Sequence, residues 1–542
     1  MDQLHSHNYL VRIEKLNRIG IALSAEPDTN RLMEIILLGA KELTNADAGT
    51  MYSVTEDNHL RFEIIRTDSL HIAMGGTTGI PITFPRLPLY QADGTPNLKM
   101  VAAFAAVKDQ TVNIADAYEA EGFDFSGTRA FDQKTGYRSK SFLTVPLKNH
   151  NNEIIGVLQL INARDEETKH IVPFTQDDQA LAESLASQAA VALTNQRLIQ
   201  ELKQLFEAFI QTIATAIDEK SPYTGGHCHR VPILAEMLAK EAVQSEHGDL
   251  KNFTLSNEEL YELKIAAWLH DCGKVVTPTE VVDKATKLET IFDRIHLVEN
   301  RFQLLKKMAE IHFLKQQLQL AKDGKLQESV LESLQAELQQ TLATYDDDLA
   351  FIKECNIGGE FMSKERMERV HKIAQYALED GQPFLTENEI YNLCIPKGTI
   401  TPEEREVINN HVVATAKMLT ALPFPKKMSR VPEIAASHHE RPDGGGYPNK
   451  LHRNDMTVQA RILAIADVFE ALTASDRPYK KGKTLSEALK ILGFMKKDGH
   501  IDGDLFQVFI DSEVFLKYAK KFMDANQIDE IDKMKIPGYQ PL

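Results

Sequence analysis

At 542 residues and 43% apolar, the chain is too long for one hydrophobic core and calls for two or three domains. Its formal net charge of −17 excludes a protein that grips long nucleic acid through its phosphates, because such binders carry a basic footprint; a small anionic substrate needs only a local positive cluster. Four sparse cysteines, Cys228, Cys272, Cys355 and Cys394, suit a reducing cytosol rather than a disulfide framework. With no signal-type N-terminus and no long apolar run, a soluble cytoplasmic protein without membrane insertion is the expectation.

Residues 9–45 read as two helices, the second beginning after Asp28-Thr29-Asn30 with Leu32, Ile35, Ile36, Ala40 and Leu43 on one face. Mixed strands follow, the clearest over 138–147 and 153–161, joined by a polar turn at 149–152 as a β-hairpin. Thr175 or Asp177 then caps a long helix that starts near Asp178 and reaches the region of Ile217. This order of elements resembles a GAF domain over roughly residues 10–197, most closely at 137–163. The Asn-Lys, Phe, Asp-Glu signature of cyclic-nucleotide-binding GAF domains is matched by Asn162, Phe174 and Asp178, but Ala163 and Gln179 replace its Lys and Glu. That departure argues against a cyclic nucleotide, and no cysteine precedes Cys228 for bilin attachment. An unknown small-molecule ligand and a ligand-free dimerisation module are the two readings.

Along the exit helix Leu198, Leu202, Leu205 and Phe209 follow 4-3-4 spacing and form one stripe. A parallel helix pair across a homodimer would use it; packing on its own domain is the alternative.

Beyond this helix the chemistry begins at Gly226-His227-Cys228-His229-Arg230, where His227 is the candidate metal ligand and Cys228 and His229 read as packing or surface residues. An apolar helix then ends in His270-Asp271, and Lys274, one helical turn beyond His270 at i+4, can reach a phosphate oxygen on the same side. Residues 438–448, His-His-Glu-Arg-Pro-Asp-Gly-Gly-Gly-Tyr-Pro, put two imidazoles beside two carboxylates, Glu440 and Asp443, that could orient them, and a glycine run that allows a sharp turn.

With His227, His270-Asp271 and Asp467, the sequence resembles the HD phosphohydrolase superfamily. His411, His438-His439 and the loop Asp443, Gly444, Gly446, Tyr447 and Pro448 make it similar to the HD-GYP subgroup, bacterial cyclic di-GMP phosphodiesterases. The resemblance covers about 205–290 and 396–520. It implies His227, His270, Asp271 and Asp467 on one divalent metal and Asp271, His411, His438 and His439 on a second, with Asp271 the bridge. Imidazole and carboxylate donors without thiolate suit iron or manganese at least as well as zinc, and ligand type alone does not choose among them. A third metal, which some members hold with a Glu four residues before the first histidine, is not expected, because Tyr223 stands there and Ser221 replaces an accompanying Asp. Lys274, Arg230, Arg441, Arg477 and Lys480 are the candidate substrate contacts, with Asp271 and Lys274 the catalytic pair.

Where members of the subgroup pass almost directly to the helix bearing His411, this chain inserts about a hundred residues whose apolar spacing predicts an antiparallel helical hairpin broken near Asp323-Gly324. The expected architecture is therefore multidomain α+β. It comprises a GAF-like antiparallel sheet with helices (1–197), a connecting helix (198–217), an all-α HD-GYP domain in two parts (218–295 and 396–525) around a helical insertion (296–395), and a tail (526–542). The implied activity is metal-dependent hydrolysis of cyclic di-GMP to pGpG, with further hydrolysis to GMP left open, regulated by the GAF domain. A different 3′,3′-cyclic dinucleotide such as cyclic GMP-AMP, or a non-hydrolysing nucleotide- or partner-binding module, are the alternatives.

Overall fold

The computed structural model describes residues 2–220, 226–378, 383–475 and 482–541, with the side chains of 2–9 excluded. It divides into two compact units, Met1–Phe206 and Glu207–Leu542.

The first unit opens with α1 (Asp2–Ala25) and α2 (Thr29–Thr44). Asp28 caps α2 by accepting from the Arg31 amide, and the apolar face predicted for it is buried at Leu32, Ile36, Ala40 and Leu43. The strands β1 (Ala46–Val54), β2 (His59–Thr67), β3 (Ile72–Gly75) and β4 (Leu87–Pro88) follow, then α3 (Val101–Lys108), β5 (Val112–Ile114) and α4 (Ser126–Thr135). The hairpin β6 (Phe142–Lys148) and β7 (Ile154–Arg164) precedes β8 (Ile171–Val172). All strand pairs are antiparallel, in the order β3-β2-β1-β7-β6-β5, with β4 on β2 and β8 on β7. Seven consecutive buried residues in β1 reflect its central place in the sheet.

The first hairpin strand begins at Phe142, four residues later than its apolar pattern suggests. Side chains claim the backbone before it: Asn162 accepts from the Lys140 amide at 2.7 Å and Asp132 from the Ser139 amide at 2.8 Å, so no ladder forms there. Asn162 and Asp178, two of the signature positions, thus serve the fold, since Asp178 accepts from the Thr175 amide and hydroxyl and pairs with Arg12.

Thr175 is the residue that caps α5 (Gln176–Lys220), accepting from the Asp178 amide at 3.1 Å. The stripe predicted on this helix is not packed: Leu198, Leu202, Leu205 and Phe209 are 49%, 67%, 66% and 65% exposed.

The second unit is helical. It contains α6 (His227–Val243), α7 (Asn257–Leu269), α8 (Thr279–Val282), α9 (Ile295–Lys322), α10 (Glu328–Ile357), α11 (Lys364–Ile373) and α12 (Glu387–Leu393). It continues through α13 (Pro402–Thr420), α14 (Val431–Ala436), α15 (Val458–Thr473), α16 (Leu485–Lys497), α17 (Gly503–Asp511) and α18 (Val514–Phe522). Helices α9 and α10 pack on each other, and with α11 and α12 they bury a core of their own around Val298, Phe302, Ile352, Val370 and Phe384. Two buried lysines tie this segment down. Lys284 Nζ meets the Glu404 carboxylate at 2.8 Å and Asn392 Oδ1 at 2.8 Å, while Lys287 Nζ donates to the Leu393 and Ile395 carbonyls at 2.9 and 2.8 Å. Among the described residues no helix is long and apolar enough to cross a membrane.

Candidate metal centre

Residues from five helices or the turns that end them converge on one carboxylate. His227 is the first residue of α6, His270 and Asp271 follow the last turn of α7, His411 lies within α13, His438 and His439 follow α14, and Asp467 is on α15. Capping boxes start α7 (Ser256 with Glu259) and α13 (Thr401 with Glu404), so the helix registers that deliver His270 and His411 are set locally. Gly273 lets the turn after Asp271 lie directly on α13. A Cβ there would fall 1.9 Å from the His411 carbonyl oxygen, and the Gly273 amide donates to Thr415 Oγ1 at 2.9 Å.

Asp271, 2% exposed, presents its two oxygens to two different groups of histidines. Oδ2 lies 3.4 Å from His227 Nε2 and 3.3 Å from His270 Nε2; Oδ1 lies 3.3 Å from His411 Nε2 and 3.9 Å from His438 Nε2. Asp467 Oδ1 completes the first group, 3.2 Å from His227 Nε2 and 3.7 Å from His270 Nε2. His439 closes the second, its ring centroid 4.1 Å from that of His438 and 5.3 Å from that of His411. All seven residues proposed from the motifs are thus brought together, and two clusters, His227/His270/Asp271 and His411/His438/His439, each have the spacing to hold a metal ion.

The outer ring nitrogens explain why the inner ones converge. His270 Nδ1–H donates to the Ala267 carbonyl at 2.7 Å, His438 Nδ1–H to Ala435 at 2.6 Å, and His411 Nδ1–H to Ile408. Each bond fixes the ring's orientation and turns Nε2 toward Asp271, where it offers a lone pair whenever the ring is neutral. Asp271 Oδ1, His411 Nε2 and His438 Nε2 are buried without a hydrogen-bond partner, a cost that a cation among them removes.

His227 is held differently. Its Nδ1 meets the fully buried carboxylate of Glu470, which also accepts from Arg230 Nε at 2.6 Å. Glu470 was not among the expected site residues, yet it lies three residues after Asp467 on one face of α15, as Arg230 lies three after His227 on α6. That shared spacing was a usable signal.

Burial alone would lower the His227 and His270 pKa values, but the carboxylates of Asp271, Asp467 and, for His227, Glu470 outweigh it. They raise His270 to about 9 and His227 well above its ordinary value. Burial pushes His438 well down and His439 to about 4, keeping both neutral donors. Burial would raise Asp271, but Lys274 and His270 hold it well below the usual carboxylate range. Cys228 and Cys272 stand nearby as buried thiols, Cys272 pushed up to about 11 by burial, so neither offers a thiolate.

Several expectations change. The α7 helix ends at Leu269 and a 3-10 turn spans Cys272–Val276, so Lys274 is not one α-turn beyond His270; its Nζ pairs with Asp271 Oδ2 at 2.6 Å. Glu440 and Asp443 orient no histidine. Glu440, 1% exposed, accepts from the Asn449 and Leu451 amides at 2.6 and 2.9 Å and shapes the loop return; Asp443 accepts from the Gly445 amide and pairs with Arg441. Gly444 has φ +78°, and a Cβ on Gly446 would lie 2.4 Å from the Arg441 nitrogen, so the loop folds back on its own start. The Tyr447 ring packs on His439 at 4.9 Å between centroids, ahead of a cis bond to Pro448. Arg477, Lys480, Ser221 and Tyr223 lie outside the described residues.

Two regions of the chain match known families. Residues 361–505 match the HD domain family and residues 28–193 the GAF domain family. The chain combines a GAF domain with an HD domain. It is 34% identical over 133 residues to a cyclic di-GMP phosphodiesterase of Thermotoga maritima, covering 24% of this chain and 34% of that one. It is 36% identical over 141 residues to a cyclic di-GMP phosphodiesterase of Pseudomonas aeruginosa, covering 26% and 30%. Over 82 residues it is 43% identical to the 3′3′-cGAMP-specific phosphodiesterase 1 of Vibrio cholerae, covering 15% and 19%. The chain thus spans about a third or less of the length of these relatives.

Proposed function

We propose that the second unit is a metal-dependent phosphodiesterase that hydrolyses cyclic di-GMP to pGpG and onward to GMP, as an HD-GYP domain under the control of the GAF domain. The observation that carries this reading is Asp271, with one oxygen toward His227 and His270 and the other toward His411 and His438. Its relatives' names supply the substrate class. The residues fit two divalent ions: His227, His270, Asp271 and Asp467 would hold one, and Asp271, His411, His438 and His439 the other. A donor set of imidazole and carboxylate, with no thiolate, accommodates iron or manganese at least as well as zinc. Bound there, such ions supply Lewis-acid stabilisation of phosphoryl charge and acidify water near neutral pH.

The chain's own residues do the remaining work. Asp271 stays ionised beside Lys274, whose ammonium adds positive charge where a phosphate enters. Arg230 acts through Glu470, and Arg441 through the Asp443 loop, so both shape the site before they touch substrate. Hydrolysis adds water across one P–O3′ bond to give the linear dinucleotide, and a second addition gives two mononucleotides. On the same reading residues 1–197 form the sensor, 198–217 the connecting helix, 218–295 with 396–525 the catalytic domain around the 296–395 insertion, and 526–542 a tail. The exposed α5 stripe favours a homodimer, and four free cysteines favour the cytoplasm.

A second substrate, cyclic GMP-AMP, is favoured by the resemblance to the cGAMP-specific enzyme. Turnover of both dinucleotides by protein loaded with manganese or ferrous iron, beside an Asp271→Ala control, decides between them. Nucleotide binding without hydrolysis under either metal would overturn the enzymatic reading.

A further inference from the structure

Two side chains in the last turn of α5 reach the segments that carry the metal centre, and neither belongs to its motifs. Asp218, 6% exposed, accepts from the backbone amide of Cys228 at 3.3 and 3.2 Å. That amide lies in the first turn of α6, next to His227, and α6 starts after Gly226 with no side-chain cap of its own. Asp218 therefore supplies from another helix the acceptor that a capping residue ordinarily provides. Lys220 Nζ donates to the carbonyls of Lys274, Val275 and Thr277 at 2.8, 2.6 and 2.6 Å. These carbonyls close the 3-10 turn Cys272–Val276 that follows Asp271, where a cation is favoured by the exposed ends of the peptide dipoles. An ammonium has three protons to donate, and Lys220 meets three acceptors.

The two anchors stand on opposite sides of one short distance. His227 follows the Asp218 anchor, Asp271 precedes the Lys220 anchor, and their side chains approach to 3.4 Å. Resting on the metal-dependent reading above, the geometry points to the last turn of α5 as a positioning element of the metal centre. Asp218 holds the start of the His227 helix, and Lys220 holds the turn that joins Asp271 to Lys274. Because both anchors lie within one turn of a helix that begins at Gln176, a rotation or shift of its end reaches both sides of the centre together.

The test uses the full chain, stripped of metal and titrated with manganese by electron paramagnetic resonance. Lys220→Met and Asp218→Ala are each expected to weaken manganese binding about tenfold, the scale of lost support around a ligand. Lys220→Arg, which keeps charge and donors, recovers most of the loss, and the thermal midpoint stays at the parent value. Unchanged manganese affinity in Lys220→Met and Asp218→Ala overturns the proposal. So does an equal loss in Lys220→Met and Lys220→Arg with a lowered thermal midpoint, which marks a folding defect. Since the readout is metal affinity, it is independent of turnover: a parent protein that binds manganese normally but hydrolyses no cyclic dinucleotide defeats the enzymatic reading and leaves this one tested.

Discussion

The outer nitrogen of His227 meets a carboxylate, whereas those of His270, His411 and His438 meet backbone carbonyls. A carboxylate partner raises the basicity of an imidazole and fixes its orientation, so Glu470 tunes this position more than the carbonyls tune theirs. Glu470→Gln is expected to weaken metal binding about 10- to 100-fold, measured by calorimetric titration of manganese into the stripped protein. An affinity equal to the parent's would mean the carboxylate serves only Arg230. Gly273 acts by absence. A methyl group 1.9 Å from the His411 carbonyl forces α13 away from the Asp271 turn, and Gly273→Ala should cost about 1–3 kcal/mol, visible as a lower urea midpoint for the second unit.

At the scale of elements, α13 is fixed at its start by Thr401 and Glu404 and from outside by Lys284, whose side chain is 1% exposed. Lys284→Met removes a charged donor from Glu404 and Asn392 and should destabilise by about 2 kcal/mol, read by denaturant unfolding. The start of α17 gives a pH dependence. Burial alone would raise the pKa of Asp502, but the Leu505 amide, Arg461 and Arg453 more than offset it and leave the carboxyl below its ordinary value. A carboxylate with a depressed folded-state pKa contributes stability that is complete above about pH 4 and is lost as pH falls through the folded value. Unfolding midpoints should therefore drop more steeply below pH 4 for the parent than for Asp502→Asn; parallel curves would rule this linkage out.

For the whole molecule, the exposed line of Leu198, Leu202, Leu205 and Phe209 on α5 is the surface that a homodimer would cover. Leu202→Glu with Leu205→Glu should convert a dimer to a monomer in sedimentation equilibrium, since charges on a helical seam cannot be buried without partners. A parent protein that sediments as a monomer would remove the dimer reading.

The residues of the centre were legible in the chain because the His-Asp, His-His and Gly-Tyr-Pro motifs resemble those of a known family, and imidazole and carboxylate carry their ligand chemistry in the side chain. The GAF-type sheet was legible because its hairpin alternates and its exit helix is capped by Thr175. Hydrogen-bond partners were not. Asn162 and Asp132 stopped a strand that the apolar pattern would have extended, Glu440 turned inward to hold a loop, and Lys274 left the α-helical register for a 3-10 turn. Sequence alone determined which groups can bind a metal, because ligand chemistry belongs to the side chain. The resemblance implied Asp271 as the bridge. Only the tertiary structure shows which of its oxygens faces which histidines, and that Glu470, Asp218 and Lys220 hydrogen-bond to His227 and to the segments beside it and Asp271. Those roles depend on distances between segments remote in sequence, which packing sets and local pattern does not record.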